Sequence, residues 1–78
     1  MEVTPSAGKH DVDEEDARHA ARHPLRVIPQ DDRDPYRILV IGADRAGRLL
    51  EIVILTPETE PKIIHAMQLR PAFYRYLD

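Results

Sequence analysis

Tyr36-Arg37-Ile38-Leu39-Val40-Ile41 and Leu49-Leu50-Glu51-Ile52-Val53-Ile54-Leu55 stand on either side of Gly42-Ala43-Asp44-Arg45-Ala46-Gly47. Both runs are rich in Ile, Leu and Val, side chains that suit a pleated, half-buried surface, and the segment between them begins and ends with glycine. The pair reads as a central β-hairpin. Leu25 to Ile28 adds a short strand closed by Pro29, and Lys62 to Met67 adds another with Ile63 and Ile64 at its centre. The polar stretches Gln30-Asp31-Asp32-Arg33-Asp34-Pro35 and Thr56-Pro57-Glu58-Thr59-Glu60-Pro61 read as turns between strands. Four strands in succession favour an antiparallel meander.

A helix precedes the sheet and another follows it. Asp13-Glu14-Glu15-Asp16 suits a helix start, because a cap carboxylate accepts from unpaired first-turn amides and acids favour the positive end of the dipole. Pro24 disfavours helical geometry at His23 and stops the helix, leaving an inner stripe of Val12, Ala17, Ala20 and Ala21. That stripe is thin and mostly alanine. Pro71 suits a first helical position, and Phe73, Tyr76 and Leu77 share one face of a short terminal helix that packs on the sheet. The sequence therefore predicts an α+β domain over residues 9–78: an N-terminal helix, a four-stranded antiparallel meander and a short C-terminal helix. Met1 to Gly8 has almost nothing apolar to bury and reads as a disordered tail.

A chain of 78 residues is enough for one domain and too short for two. It has no cysteine, so disulfides, thiolate zinc sites and thiol redox chemistry are excluded. The first residues lack the basic start and apolar run of a signal peptide, and no apolar stretch approaches a membrane span, so the expectation is a soluble cytoplasmic protein without a membrane partner. The formal net charge of −3 argues against a strongly basic nucleic-acid binder. Acids outnumber bases up to Asp34, whereas the part from Pro35 onward is about neutral and leaves room for a local basic face.

Lys9-His10-Asp11-Val12, followed by Glu14-Glu15, resembles the Lys-His-Gly-Val segment and acidic helix start of BrnT-type ribonuclease toxins. The resemblance continues through Pro24-Leu25, Tyr36-Arg37-Ile38-Leu39-Val40-Ile41-Gly42, Gly47-Arg48-Leu49-Leu50, and Ile63-Ile64 before Ala66. It lies in the common order and spacing of these pieces and covers most of the chain after Gly8. It implies a RelE-like α+β fold, endoribonuclease activity independent of the ribosome, and neutralisation by a cognate BrnA-type antitoxin. Three features depart from the family pattern. Only Met1 to Gly8 precedes the Lys-His segment, where family members carry a strand and a helix. Asp11 replaces a glycine, which suggests different backbone geometry after His10. The closing Ser-Ala-Arg stretch reads here as His65-Ala66-Met67-Gln68-Leu69-Arg70-Pro71, with His65 at the serine and Arg70 as a displaced arginine.

RNA cleavage by 2′-hydroxyl attack needs a base, an acid and cations to offset charge on phosphorus, and it requires no metal or cofactor. His65 is the first candidate for acid or base, because imidazole titrates near working pH; the alternative is a sheet histidine bonded to backbone. His10 is the complementary proton carrier and Lys9 a phosphate contact, or the two form a solvated pair. Arg48 and Arg70 are the candidate phosphate clamps, or else exposed strand-end arginines. Tyr74 is the exposed aromatic that could stack on a base, while Tyr76 is better explained as core. Glu51, alone in an apolar strand, either faces solvent, pairs with a base such as Arg37, or lines a cleft. His19 and His23 have the i,i+4 spacing of a metal pair, but no third ligand is evident, and a surface pair is favoured.

The leading expectation is an endoribonuclease toxin with His65, Arg48 and Arg70 converging on one concave face, helped by His10 and Lys9. The second is a non-catalytic, reduced relative that keeps the sheet for protein partners. A DNA-binding autoregulator is the weakest, since no basic recognition helix or ribbon is present. A thin helix beside two strongly apolar strands also implies a partly uncovered sheet face, which a second copy in a homodimer or an antitoxin helix would cover.

Overall fold

The hairpin read from the sequence is the middle of the sheet. A computed structural model describes residues 1–30, 36–56 and 60–78. Its strands are β1 (Glu2–Val3), β2 (Pro24–Gln30), β3 (Arg37–Ala43), β4 (Leu49–Leu55) and β5 (Lys62–Gln68), and their order in space is β1-β5-β4-β3-β2. β2 to β5 form an antiparallel meander, with Val40 opposite Ile52 and Ile41 opposite Glu51 in the central pair. The predicted turns at 30–35 and 56–61 fall largely outside the described residues. In the β3–β4 loop, Gly47 takes a φ of +87°, a conformation open to glycine because it lacks a Cβ.

Two expectations are corrected. The sheet has five strands and is mixed, because β1 pairs in parallel with β5, Glu2 against Lys62 and Val3 against Ile63. The first eight residues are therefore not a structureless tail: β1 leads into a 3-10 helix, Pro5–His10. The outer edge of β5 explains why. Its carbonyls need donors, and the amide and hydroxyl of Thr4 donate to the Ile63 carbonyl at 2.9 and 3.0 Å, while the Ser6 hydroxyl donates to the Ile64 carbonyl at 3.1 Å. Ala7 then enters the core.

The helix α1 (Glu14–Arg22) begins at its predicted cap, where Asp13 Oδ1 accepts from the amides of Glu15 and Asp16. Its alanine stripe has a geometric purpose. Ala17 and Ala20 are fully buried, and a Cβ built on Gly42 of β3 would run into the Ala20 carbonyl. Small residues on both sides let the helix lie close against the sheet, so little apolar volume is needed to fill the layer.

The C-terminal segment Pro71–Leu77 is helical, but as a 3-10 helix. Phe73, Tyr76 and Leu77 are half-buried rather than core. Two turns make few internal hydrogen bonds, and β2 supplies external ones: Arg26 Nε and Nη2 donate to the Tyr76 and Leu77 carbonyls at 2.9 and 3.3 Å.

The sheet thus has two different faces. Val40, Leu50, Ile52, Ile54, Ile63 and Ala66 face α1 and Ala7 in the main core. Arg37, Leu39, Glu51, Val53, Ile64 and His65 open on the other face. Among the described residues the exposed large apolar side chains are Met1, Leu25, Val27, Tyr36 and Tyr74, and Leu25 and Val27, both 52% accessible, lie on edge strand β2. No described helix is long and apolar enough to cross a membrane.

Candidate active site

The open face is built around a carboxylate that the surrounding sequence makes expensive to bury. Glu51 sits in the middle of β4 with no solvent exposure, and four hydrogen bonds offset the cost of burying its charge. Its Oε1 accepts from His65 Nε2 at 2.9 Å and from Arg70 Nε and Nη2 at 3.0 and 2.6 Å, and its Oε2 accepts from the Arg70 backbone amide at 3.0 Å. Burial pushes the Glu51 carboxyl up, but the hydrogen bonds from the Arg70 side chain, His65 and the Arg70 amide outweigh it and hold the group below the usual carboxylate range. Glu51 reciprocally raises the Arg70 guanidinium, so this pair stays ionised. The base that Glu51 takes is Arg70, not Arg37.

This network orients His65. An ionised carboxylate only accepts, so the proton between the groups belongs to His65 Nε2, and the neutral ring carries its lone pair on Nδ1. His10, at the end of the first 3-10 helix, meets His65 edge to face with ring centroids 5.5 Å apart. Asp11, at φ +59° and ψ +28°, turns the chain away from His10 towards α1. The left-handed geometry that glycine adopts freely is thus held here by an aspartate, a residue that tolerates it better than most.

His65, Arg70 and Glu51 line a cavity of about 310 Å³ with Gln30, Arg37, Leu39, Val53, Ile64 and Phe73. The sequence candidates therefore divide. His65 and Arg70 come together in this cavity, and His10 touches the His65 ring without being among the lining residues. Arg48 does not join them: its Nε pairs with buried Asp44 at 3.0 Å, and it lines a separate cavity of about 420 Å³ with Tyr74, Gln68, Leu69 and Leu77. Asp44 holds the turn, its Oδ1 accepting from the Ala46 and Arg48 amides at 2.9 and 2.8 Å, and claims the guanidinium as well. Burial raises the Asp44 carboxyl and these hydrogen bonds more than reverse it. Tyr74 is exposed beside Arg48. Lys9 is exposed next to His10 and makes no hydrogen bond or ion pair to a described residue.

His19 and His23 stack with centroids 4.4 Å apart, and their Nδ1 atoms donate to the carbonyls of Ala43 and His19 at 2.9 Å each. Both rings serve the helix end and its contact with β3. Sequence reasoning missed Arg37 and Gln30 as cavity residues. The available signal was the register of the hairpin, which puts Arg37, Leu39 and Ile41 on the same face as Glu51.

In comparisons with known proteins, no family model, no curated protein and no solved structure matches the chain.

Proposed function

We propose that this chain is an endoribonuclease that cleaves RNA without a metal, a RelE-like toxin of the BrnT type restrained by a cognate antitoxin. The observation that carries the reading is the contact set in which buried Glu51 fixes the His65 tautomer, Arg70 flanks the same carboxylate and His10 touches the His65 ring. His65 Nδ1 takes the proton of a ribose 2′-hydroxyl as O2′ attacks phosphorus. The bond from phosphorus to O5′ breaks, His10 protonates the leaving O5′, and a 2′,3′-cyclic phosphate remains. The exposed half of Arg70 supplies positive charge to the phosphoryl oxygens while its other donors hold Glu51.

The test is cleavage of total RNA by purified protein in EDTA. Parent activity is expected to fall by at least roughly a hundredfold in His65→Ala, the scale of a lost general base, and Arg48→Ala is expected to remain near parental because Arg48 serves the turn. A folded parent that leaves RNA intact sinks the reading.

A second reading, a non-catalytic binding module, is favoured by exposed Leu25 and Val27 on β2, the last strand of the sheet among the described residues. An extended partner segment can add to such an edge through backbone hydrogen bonds, and under the first reading the antitoxin takes this place. Val27→Lys separates the two roles: cleavage persists while the partner is lost.

A further inference from the structure

Arg37 is the unexplained residue of the open face. It is half-buried, and among the described residues its Nε, which has no solvent contact, has no hydrogen-bond partner and its guanidinium makes no ion pair. A buried N–H donor on a permanent charge is rarely left this way, since an unsatisfied buried charged donor costs more than a neutral one. The charges that line the cavity are Arg37 and Arg70 against Glu51, and Glu51 is already committed to Arg70 and His65. Among the described residues one positive charge therefore lacks a counter-charge. Leu39, Val53, Ile64 and Phe73 wall it with apolar surface, which strengthens any charge interaction formed there.

We propose that Arg37, with the Gln30 amide opposite it in the β2–β3 ladder, is a binding site for a phosphate of single-stranded RNA next to the scissile one. Gln30 pairs with Arg37 across the ladder and lines the same cavity, so the two present a guanidinium and an amide donor together. Two parallel N–H donors of a guanidinium match two oxygens of a phosphate. The register fixes which phosphate. Arg37 lies two strands and two residues from His65, through Leu39 opposite Val53 and Val53 opposite His65. At about 4.8 Å per strand and about 3.3 Å per residue their Cα atoms are roughly 12 Å apart, farther than one phosphate spans. Arg37 therefore holds a neighbouring phosphate and sets the direction of the strand across the sheet, with the apolar wall between the two sites facing sugar or base. The identity of the ligand as RNA rests on the nuclease reading; the anion site rests on Arg37 itself.

The experiment separates the two. Parent, Arg37→Gln and Arg37→Lys are titrated with inorganic phosphate by NMR, and with a short 2′-O-methylated oligoribonucleotide that cannot undergo 2′-hydroxyl attack. Chemical shifts outside the cavity serve as the folding control. The parent is expected to bind both, Arg37→Gln to bind phosphate at least roughly tenfold more weakly, and Arg37→Lys to fall between, keeping charge without the planar pair of donors. The slope of log affinity against log salt for the oligonucleotide should fall by about 0.7 in Arg37→Gln, the value for one lost single-strand phosphate contact. A folded Arg37→Gln with parental phosphate affinity and an unchanged salt slope overturns the site. Phosphate binding without oligonucleotide binding overturns RNA as its source. A parent that binds both but leaves natural RNA uncut removes the nuclease reading and leaves the phosphate site standing. If Arg37→Gln does not fold, Arg37→Lys and Gln30→Ala carry the same comparison.

Discussion

Arg70→Met should uncouple the stability of this domain from its pH dependence in a way that exposes what Glu51 costs. In the parent, the buried Glu51 carboxylate takes two side-chain hydrogen bonds from Arg70, while the Arg70 amide and His65 supply the rest. Removing the guanidinium leaves a charge with no exposure and half its donors. Breaking a buried pair costs about 3–5 kcal/mol, and because the Arg70 side chain is half-exposed and solvent already screens it, about 2 kcal/mol is expected at pH 7. A domain of this length holds roughly 4–12 kcal/mol in all, so the loss is easily measured. The size of this loss depends on pH. Parental Glu51 titrates below its ordinary value near 4.5, so its contribution is complete above that pH and is lost as pH falls through the folded value. Without Arg70 the burial effect, the largest single influence on this group, pushes the carboxyl up, so the variant is relieved as pH falls from 7 towards the ordinary value, before the parent loses its own contribution. The gap between the two proteins should therefore be widest at pH 7 and shrink to below about 1 kcal/mol by pH 4. Urea unfolding at the two pH values reads this directly, and in a Glu51→Gln background the Arg70→Met effect should nearly vanish. A gap that is constant with pH, or survives in Glu51→Gln, would refute the account of a buried charge held by Arg70.

Other expectations follow from single contacts. Gly42→Ala should destabilise by about 2–3 kcal/mol in thermal or chemical unfolding, because its Cβ strikes the rigid Ala20 backbone and α1 must move off the sheet; an unchanged midpoint means that the helix does not lie this close. Asp44→Ala should cost about 2 kcal/mol by leaving two turn amides without their acceptor, while Arg48→Ala should cost under about 1 kcal/mol because that ion pair is largely exposed on the arginine side. Asp11→Gly should stabilise or leave unfolding unchanged within about 1 kcal/mol, since glycine takes the left-handed φ of +59° without the steric penalty but gives up more entropy. Hydrogen exchange offers a check on the N-terminus: the Thr4 amide should be protected through its bond to Ile63, and rapid exchange there contradicts the pairing of β1.

What was legible in the sequence was what periodicity and local chemistry encode. The apolar runs around Leu39 and Ile52 announced the hairpin, and Asp13 and Pro24 marked both ends of α1. The opening segment was illegible because it is held by backbone and by two hydroxyls on the edge of β5, which leave no apolar pattern. The alanine stripe read as a weak core because its partner is Gly42, and the fit between them is one of closeness rather than volume. Arg48 looked like a site residue by its place after the turn, but a carboxylate four residues earlier in the same turn claims it. Arg70 is nineteen residues from Glu51, and only the β4–β5 register brings them together.

That register contains the step on which the site depends. Strict alternation along β5 would put Ile63 and His65 on the same face, and Ile63 is in the core against α1. His65 would then face the core, and Glu51 would lose one of its donors. The ladder instead shifts between Val53 and Ile54: Ile54 pairs with Ile63, Val53 with His65, and Ile64 is the extra residue. The bulge places Ile64 and His65 together on the open face and returns Ala66 to the core. His65 and Glu51 become diagonal cross-strand neighbours, Glu51 standing opposite Met67 two residues further on, a separation that a glutamate and an imidazole can bridge. The carbonyl of the extra residue is taken by Ser6, so the segment that carries His10 is fastened at the irregularity that aims His65. One inserted residue thus orients the imidazole, supplies the buried carboxylate with a donor and anchors the element that brings the second imidazole alongside.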